Sequence, residues 1–228
     1  MSVVRQNALV VAALAWGAAA VVYVAGEALA AAAYTPAYSY AENYISDLGV
    51  PACGIVFAGR AVCSPLHAVM NGDFVLQGVL FFVGGLAAAR ALSGVGRWPL
   101  AACAALNAIG ISLVGLFPET SGVAGVHGLG AFLAIVFGNA TGFVSAFAFR
   151  ELRLPTAHRV ASLALPVLGL AALAVLIAAR EHGPLLVPDG VWERASVYTI
   201  TAWEAVTAVF LLRRPATARG NDGVIPPA

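Results

Sequence analysis

Residues 160–179 read VASLALPVLGLAALAVLIAA, and these positions contain no charged side chain. A transmembrane helix needs about 20 mostly apolar residues to cross about 30 Å of hydrocarbon. Six stretches of the chain meet this requirement. The sequence therefore predicts an all-α polytopic membrane protein, a six-helix transmembrane bundle that forms one domain over residues 1–214. The predicted helices cover residues 8–31, 65–89, 98–117, 122–149, 158–180 and 190–212.

The overall composition agrees with a membrane protein. Of the 228 residues, 61% are hydrophobic and 10% are charged, whereas a soluble domain has about 25% charged residues. The net charge is +1, and no basic patch is large enough to bind nucleic-acid phosphates, so no nucleic-acid partner is predicted. Residues 215–228 are rich in Gly, Pro and polar side chains, which predicts a disordered tail.

The distribution of arginine predicts the orientation. All 12 basic residues are arginines. Nine of them lie on the side of the predicted termini and three on the other side, and an excess of basic residues marks the cytoplasmic side. Both termini are therefore expected in the cytoplasm, with the protein in the plasma membrane and the long connection 32–64 outside. A cleaved secretory signal is the alternative for the first helix, but its apolar run from Ala8 to Gly26 exceeds the usual 7–15 residues.

The outer connection contains two cysteines. Cys53 and Cys63 lie on the oxidising side of the membrane, which predicts a disulfide bond that staples this loop. Closing so short a loop stabilises the fold by roughly 2–3 kcal/mol in the chain-entropy model. The alternative is a metal site completed by His67, but its spacing matches no standard zinc pattern. Cys103 is expected to be a small buried residue of the third helix.

The same connection carries four tyrosines, and two interpretations of them stay open. One is an aromatic belt at the membrane–water interface. The other is a lid that covers a ligand above the helix bundle. These residues are Tyr34, Tyr38, Tyr40 and Tyr44.

Two helix starts are predicted from capping residues. Ser64 is expected to cap the second helix, with Pro65 in the first helical position. Asp189 is expected to cap the sixth helix in the same way.

Polar residues concentrate in the outer half of the bundle. In the second helix, His67 and Asn71 share one face and Asp73 and Gln77 another, so this helix is expected at the centre of the bundle. The concentration predicts an outward-facing pocket that binds a lipid headgroup, a small solute or a partner protein. The alternative is interhelical hydrogen bonding, worth about 0.6 kcal/mol per contact. The predicted pocket residues are Asp47, His67, Asn71, Asp73, Glu119, His127, Glu193 and Arg194.

The charges in this cluster need partners. Arg194 is the only arginine assigned to its neighbourhood, and it is expected to pair with Glu193 or Asp73 unless these carboxyl groups are neutral. A transporter that relays protons between Asp73 and Glu204 is a further hypothesis. The sequence has no repeat of the kind common in transporters.

An enzyme is the main alternative function. His67, Asp73 and His127 would bind a metal, and Asp47 or Glu119 would act as the base of a lipid hydrolase in the outer leaflet. Two histidines on neighbouring helices would also suit a haem. The sequence has no HExxH motif, GxSxG elbow, P-loop or dinucleotide fingerprint, so no cofactor is predicted and the question of enzyme activity stays open.

Three segments, YISDLGV (44–50), HAVMNGDFVLQG (67–78) and GLFPETSGVAGVHG (115–128), resemble the membrane-protein family called domain of unknown function 998. The resemblance covers most of the chain, with a more distant similarity to the Frag/DRAM/Sfk group. It implies six helices and an important outer face, and it implies no reaction. The loop cysteines look like an addition to the family pattern. The matching positions are Ser46, Asp47, Leu48, Gly49, Asn71, Phe74, Gly78, Gly115, Phe117, Pro118, Glu119 and His127.

Overall fold

The computed structural model describes residues 2–57, 59–123, 125–183 and 185–214. Within these residues, six helices are long and apolar enough to cross a membrane, which confirms the predicted fold class. The largest difference from the predicted bounds is at the start of the first helix. The predicted tail, residues 215–228, lies outside the described residues. The helices are α1 (Val3–Ala32), α2 (His67–Ala91), α3 (Arg97–Leu116), α4 (Val126–Ala148), α5 (Thr156–His182) and α6 (Asp189–Leu212).

The six helices close into a ring. Each helix packs against the next one along the chain, and α6 packs against α1. The two ends of the ring are named here by their connections. The loop face carries connections 33–66, 117–125 and 183–188, and the terminal face carries the start of α1, the end of α6 and connections 92–96 and 149–155.

The prediction that the second helix is central was wrong, since α2 packs between α1 and α3 like any other member of the ring. Its second polar face turns towards the interior of the ring. There Gln77 donates a hydrogen bond to Glu204 of α6 over 3.2 Å, and Asp73 lies against Gly26 of α1. A ring thus encloses the second polar face of α2 without a central position, although the Asp73 Oδ2 and the Gln77 Oε1 have no hydrogen-bond partner among the described residues.

Aromatic packing closes the interior of the ring towards the terminal face. Trp16, Phe81 and Trp203 come from α1, α2 and α6 and are almost completely buried. The two indole rings meet edge to face with centroids 4.9 Å apart, a geometry that aromatic pairs prefer. The Trp203 Nε1 donates to the Ser162 hydroxyl of α5 over 3.0 Å, which gives this buried polar atom a partner.

Small residues allow α3 and α4 to cross closely. A Cβ on Gly130 would lie 2.8 Å from the Gly110 carbonyl oxygen, and a Cβ on Gly110 would lie 2.6 Å from the Gly130 carbonyl oxygen. In lipid, the hydrophobic effect does not drive helix association, so close backbone packing between small residues takes its place.

The connection 33–66 is folded over the ring. It contains a short 3₁₀ turn, Ser46–Gly49, and an antiparallel hairpin of β1 (Cys53–Phe57) and β2 (Arg60–Cys63). Cys53 and Cys63 are register partners in this hairpin and form the predicted disulfide bond. The hairpin itself was not predicted.

Both predicted helix caps were wrong. The Ser64 hydroxyl donates to the Leu48 carbonyl oxygen over 2.6 Å, so it binds the loop, and α2 begins at His67 without a side-chain cap. Asp189 is the first residue of α6 and accepts a hydrogen bond from the Tyr44 hydroxyl over 3.1 Å. In both cases the side chain that was expected to cap a helix forms its hydrogen bond with a residue of the connection 33–66 instead.

We expect Gly110→Val to destabilise the bundle by about 1–3 kcal/mol, because the added side chain overpacks the α3–α4 crossing. The measurement is the thermal midpoint of the detergent-purified protein. Gly72→Val is the matched control, since Gly72 is a helical glycine with open space around its Cβ position. Equal midpoints for the two variants would contradict a tight crossing.

Candidate functional site

A cavity of about 670 Å³ lies inside the ring and reaches the loop face. Its polar lining comes from the loop-face connections and the adjoining helix ends: Tyr44, Ser46, Arg60, Glu119, His127, Arg180, Asp189 and Glu193. Its apolar walls come from five helices and include Phe74, Ile111, Val114, Ala131, Ile135, Leu173, Leu176, Val197 and Ile200. The cavity therefore has a charged mouth, made up of the eight polar residues, above an apolar interior.

The cavity is about half as deep as a membrane. Along α6 its lining runs from Asp189 to Thr201, which is about 18 Å at 1.5 Å per residue. At the end of the cavity farthest from the loop face, Gln77 and Asn107 are buried. Within the described residues, the side-chain amide oxygen of each has no hydrogen-bond partner. The cavity thus ends on two polar groups near the middle of the bundle.

On the side of α4 and α5, residues that line the cavity are also exposed on the outer surface of the ring. Phe132 of α4 and Ile177 of α5 both line it, yet 49% and 46% of their surfaces are exposed. Gly128 and Arg180, one turn nearer the loop face on the same two helices, are also exposed lining residues. A Cβ at Gly128 would meet no atom within 4 Å. We call the gap bounded by Gly128, Phe132, Ile177 and Arg180 the side opening.

The conformation of the loop above the mouth centres on Asp47, which is completely buried. Its carboxylate accepts two hydrogen bonds from the Arg60 guanidinium, over 2.7 and 2.9 Å, and one from the Tyr44 backbone N–H over 2.9 Å. Asn43 donates a fourth over 3.2 Å. Burial lowers the pKa of Arg60, but the hydrogen bond and charge of Asp47 outweigh it and leave that pKa raised. Arg60 therefore stays charged at the mouth.

Tyr44 joins the two arginines of the mouth. The guanidinium carbons of Arg60 and Arg180 lie 3.9 and 5.4 Å from its ring centroid, which is cation–π distance. Burial raises the pKa of Tyr44 despite these positive neighbours. The phenol therefore keeps its proton at neutral pH and donates to Asp189 over 3.1 Å.

Glu119 connects the second outer connection to the mouth. One carboxylate oxygen accepts a hydrogen bond from the Ser46 hydroxyl over 2.9 Å and lies 3.8 Å from the His127 Nε2. The His127 Nδ1 donates to the Phe117 carbonyl oxygen over 2.9 Å, which fixes the ring. The other oxygen of Glu119 lies 3.9 Å from the Arg60 guanidinium.

The comparison with protein families gave a match that covers most of the chain. The family model described as "Protein of unknown function (DUF998)" matches residues 17–210. The chain belongs to this family. Neither the comparison with curated proteins nor that with solved structures found a match. The more distant similarity to the Frag/DRAM/Sfk group stays a prediction.

The three segments that suggested the DUF998 family meet at the loop face. Asn71 of the second segment donates to the Gly49 carbonyl oxygen of the first over 2.8 Å. A Cβ on Gly115 of the third segment would lie 2.5 Å from the Asn71 carbonyl oxygen. Ser46 and Glu119 join the first and third segments by their hydrogen bond. The three segments thus form one continuous structure at the loop face.

Of the eight residues predicted to form a pocket in this DUF998 protein, three line the cavity: Glu119, His127 and Glu193. Asp47 lies behind the mouth and holds Arg60. His67 donates to the Ser64 carbonyl oxygen over 3.0 Å. His67, Asn71, Asp73 and Arg194 contact the loop or α1, and the structure places none of them in the cavity wall.

The predicted partner of Arg194 was wrong. Its guanidinium pairs with Glu27 of α1 over 3.1 Å, and it donates to the Tyr40 and Asn43 carbonyl oxygens, each over 2.7 Å. Tyr38 also contacts it. Helical spacing placed Glu193 and Asp73 at about the same depth in the membrane as Arg194. It gave no information on which helices pack against α6, and one of them is α1, which carries Glu27.

The metal ligands proposed for the hydrolase hypothesis are not brought together. His67 binds Ser64, His127 binds Phe117 and Asp73 lies against Gly26. Across the described part of the chain, no three His, Cys, Asp or Glu side chains are grouped to hold a metal ion.

Five residues of the mouth were not among the predicted pocket residues: Tyr44, Ser46, Arg60, Arg180 and Asp189. Tyr44 was assigned to an aromatic belt or to a lid over a ligand. It lines the mouth of the cavity, which agrees with the position of a lid. One feature of the sequence could have indicated Arg60: it is the arginine inside the disulfide loop, 13 residues after Asp47, with which it pairs.

We expect Asp47→Asn to lower the stability of the loop by about 3 kcal/mol, because it leaves Arg60 without its buried partner. Arg60→Gln should be at least as destabilising, and the double variant should cost less than the sum. The measurement is hydrogen exchange over residues 41–50 together with the thermal midpoint. Glu42→Gln, an exposed carboxylate of the same loop, is the control. Additive effects would show that the pair does not hold the loop.

Proposed function

We propose that this protein binds an amphiphilic, lipid-like molecule in the cavity, with the headgroup at the charged mouth and an acyl chain in the apolar interior. The observation that carries the proposal is the side opening, which leads from an amphipathic cavity to the outer surface of a membrane-spanning ring. The role is binding, and no catalytic group is assigned.

The dimensions of the cavity support a lipid over a small polar solute. Its volume of about 670 Å³ falls within the usual 300–1,000 Å³ of ligand sites. The lining extends about 18 Å along α6, a little more than half of the roughly 30 Å hydrocarbon core. A polar solute would leave the apolar walls without contacts, whereas a lipid from one leaflet matches both the depth and the change in polarity.

The side opening supports access from the membrane. Phe132 and Ile177 are exposed on the surface that faces hydrocarbon in a six-helix membrane protein. A lipid that passes between them keeps its chain in an apolar environment throughout. Arg180, at the loop-face end of the opening, lies where a headgroup would pass.

The alternative functions lack an observation of this kind. For a metal-dependent hydrolase, His67, Asp73 and His127 bind separate parts of the protein. For a proton-relaying transporter, Glu204 has a hydrogen bond from Gln77, but nothing links Asp73 to it within the described residues. We therefore retain binding as the proposed function.

The proposed orientation places the loop face outside the cell and both termini in the cytoplasm of a plasma-membrane protein. Arginines at the ends of the helices support it: Arg5, Arg90, Arg97, Arg150, Arg153, Arg159, Arg213 and Arg214 adjoin the terminal face, and basic residues favour the cytoplasmic side. A disulfide in the connection 33–66 also suits the oxidising side.

We expect a membrane-impermeant thiol reagent to label Cys53 and Cys63 in intact cells only after mild reduction, because the disulfide opens towards the outside. Mass spectrometry of the purified protein locates the labels. Cys53→Ser/Cys63→Ser is the control and should remain unlabelled at both positions. Labelling that requires permeabilised cells would reverse the orientation.

We expect Gly128→Trp to remove most of the lipid that remains bound to the purified protein, because the indole would occupy the side opening, where an added Cβ meets no atom within 4 Å. Native mass spectrometry after extensive detergent washing measures the lipid bound per chain. Gly72→Trp places the same side chain on an open helical position away from the cavity and should keep the wild-type amount. Equal retention in both variants, or no lipid on the wild type, would contradict the proposed function.

A further inference from the structure

The charged mouth holds two carboxylate oxygens that have no hydrogen-bond partner. They are the Glu119 Oε2 and the Asp189 Oδ1, both buried and without a hydrogen-bond donor among the described residues, although the Arg60 guanidinium lies 3.9 Å from the Glu119 Oε2. The side chain of Glu119 is only 9% exposed. The second oxygen of each group is already held, by the Ser46 and Tyr44 hydroxyls respectively. A carboxylate accepts hydrogen bonds at both oxygens, so each group has acceptor capacity left for a ligand.

Positive charge is placed at the outer edge of the same mouth. Arg180 is exposed at the side opening, contacts the Tyr44 ring, and forms no ion pair within the part of the chain that is described. A guanidinium presents several N–H donors in a plane that matches a phosphate. Arg60 adds a second positive charge further inside, although Asp47 already binds it.

These positions give the mouth two regions of opposite charge. Arg180 lines the cavity at the side opening and is exposed, whereas Glu119, Asp189 and Glu193 line the rest of the mouth and are less exposed. The acceptors further inside require a ligand with N–H or O–H donors. Positive charge on that donor is favoured by the carboxylates of Glu119 and Asp189, which both line the mouth.

We propose that the mouth selects a zwitterionic headgroup in which a phosphate is joined to a primary ammonium, as in phosphoethanolamine lipids. This inference rests on the proposed function. The phosphate binds Arg180, and the ammonium donates hydrogen bonds to Glu119 and Asp189. A choline headgroup has the same charges but no N–H donor, so it leaves both carboxylate oxygens unsatisfied. A phosphoglycerol headgroup has donors but lacks the positive charge that the carboxylates favour.

The test compares lipids that have identical dioleoyl chains and differ only in the headgroup. Native mass spectrometry of the full chain in detergent measures binding of phosphatidylethanolamine, its mono- and dimethylated forms, phosphatidylcholine and phosphatidylglycerol. We expect phosphatidylethanolamine to bind about tenfold more tightly than phosphatidylcholine, since hydrogen bonds to a charged group account for a factor of this size. Affinity should fall with each methyl group added. This series uses the wild-type protein and needs no variant to fold.

Isosteric variants locate the effect. Glu119→Gln and Asp189→Asn keep the shape of each side chain and remove its charge, so each should reduce the preference for ethanolamine while the binding of phosphatidylcholine changes little. Glu42→Gln removes an exposed charge from the same loop, outside the cavity, and should leave the preference unchanged.

The outcomes separate this inference from the proposed function. Equal binding of all five lipids, or tighter binding of phosphatidylglycerol, overturns the headgroup inference and leaves lipid binding intact. A preference that survives in both Glu119→Gln and Asp189→Asn also overturns it. Binding of none of the lipids overturns the proposed function as well.

Discussion

The enclosed carboxylate of Asp47 is the interaction on which the loop face depends. A buried charge is tolerated only when donors surround it, and here the donors come from three parts of the connection: Asn43, the Tyr44 backbone and Arg60. To supply them, the hairpin must fold back over the 3₁₀ turn. That fold carries Tyr44 and Arg60 to the mouth of the cavity, so the polar lining of the mouth follows from the need to satisfy one side chain that never touches the cavity itself.

The ring of helices is built differently at its two ends. Towards the terminal face, Trp16, Phe81 and Trp203 fill the interior and leave no large space between α1, α2 and α6. Towards the loop face, the cavity occupies the interior, and its lining reaches the outer surface at α4 and α5, at the side opening. The α3–α4 crossing at Gly110 and Gly130 fixes the position of α4 while leaving its outer side free. Dense packing in one half therefore supports an open cavity in the other.

Local patterns in the sequence predicted the parts of the structure that depend on local physics. Each helix was predicted because apolar length is a requirement of the bilayer, and the disulfide was predicted because Cys53 and Cys63 share one loop on the predicted oxidising side. Glu119, His127 and Glu193 were found because intramembrane and membrane-edge charges are few. The failures share a cause. The partner of Arg194 is on α1, and the Ser64 and Asp189 side chains bind the folded loop, so each depended on contacts that helical periodicity does not contain.

The mouth also has a consequence for how the chain assembles. Tyr44 and Asp189 are 145 residues apart, Ile45 and Glu193 are 148 apart, and Glu27 and Arg194 are 167 apart. Synthesis delivers the N-terminal helices first, so the connection 33–66 is made long before its partners on α6 exist. It can keep its disulfide and its Asp47–Arg60 pair during that interval, but not its attachment to the ring. The sixth helix thus supplies the last contacts of the first long loop, and the cavity is covered only when synthesis of the bundle is complete.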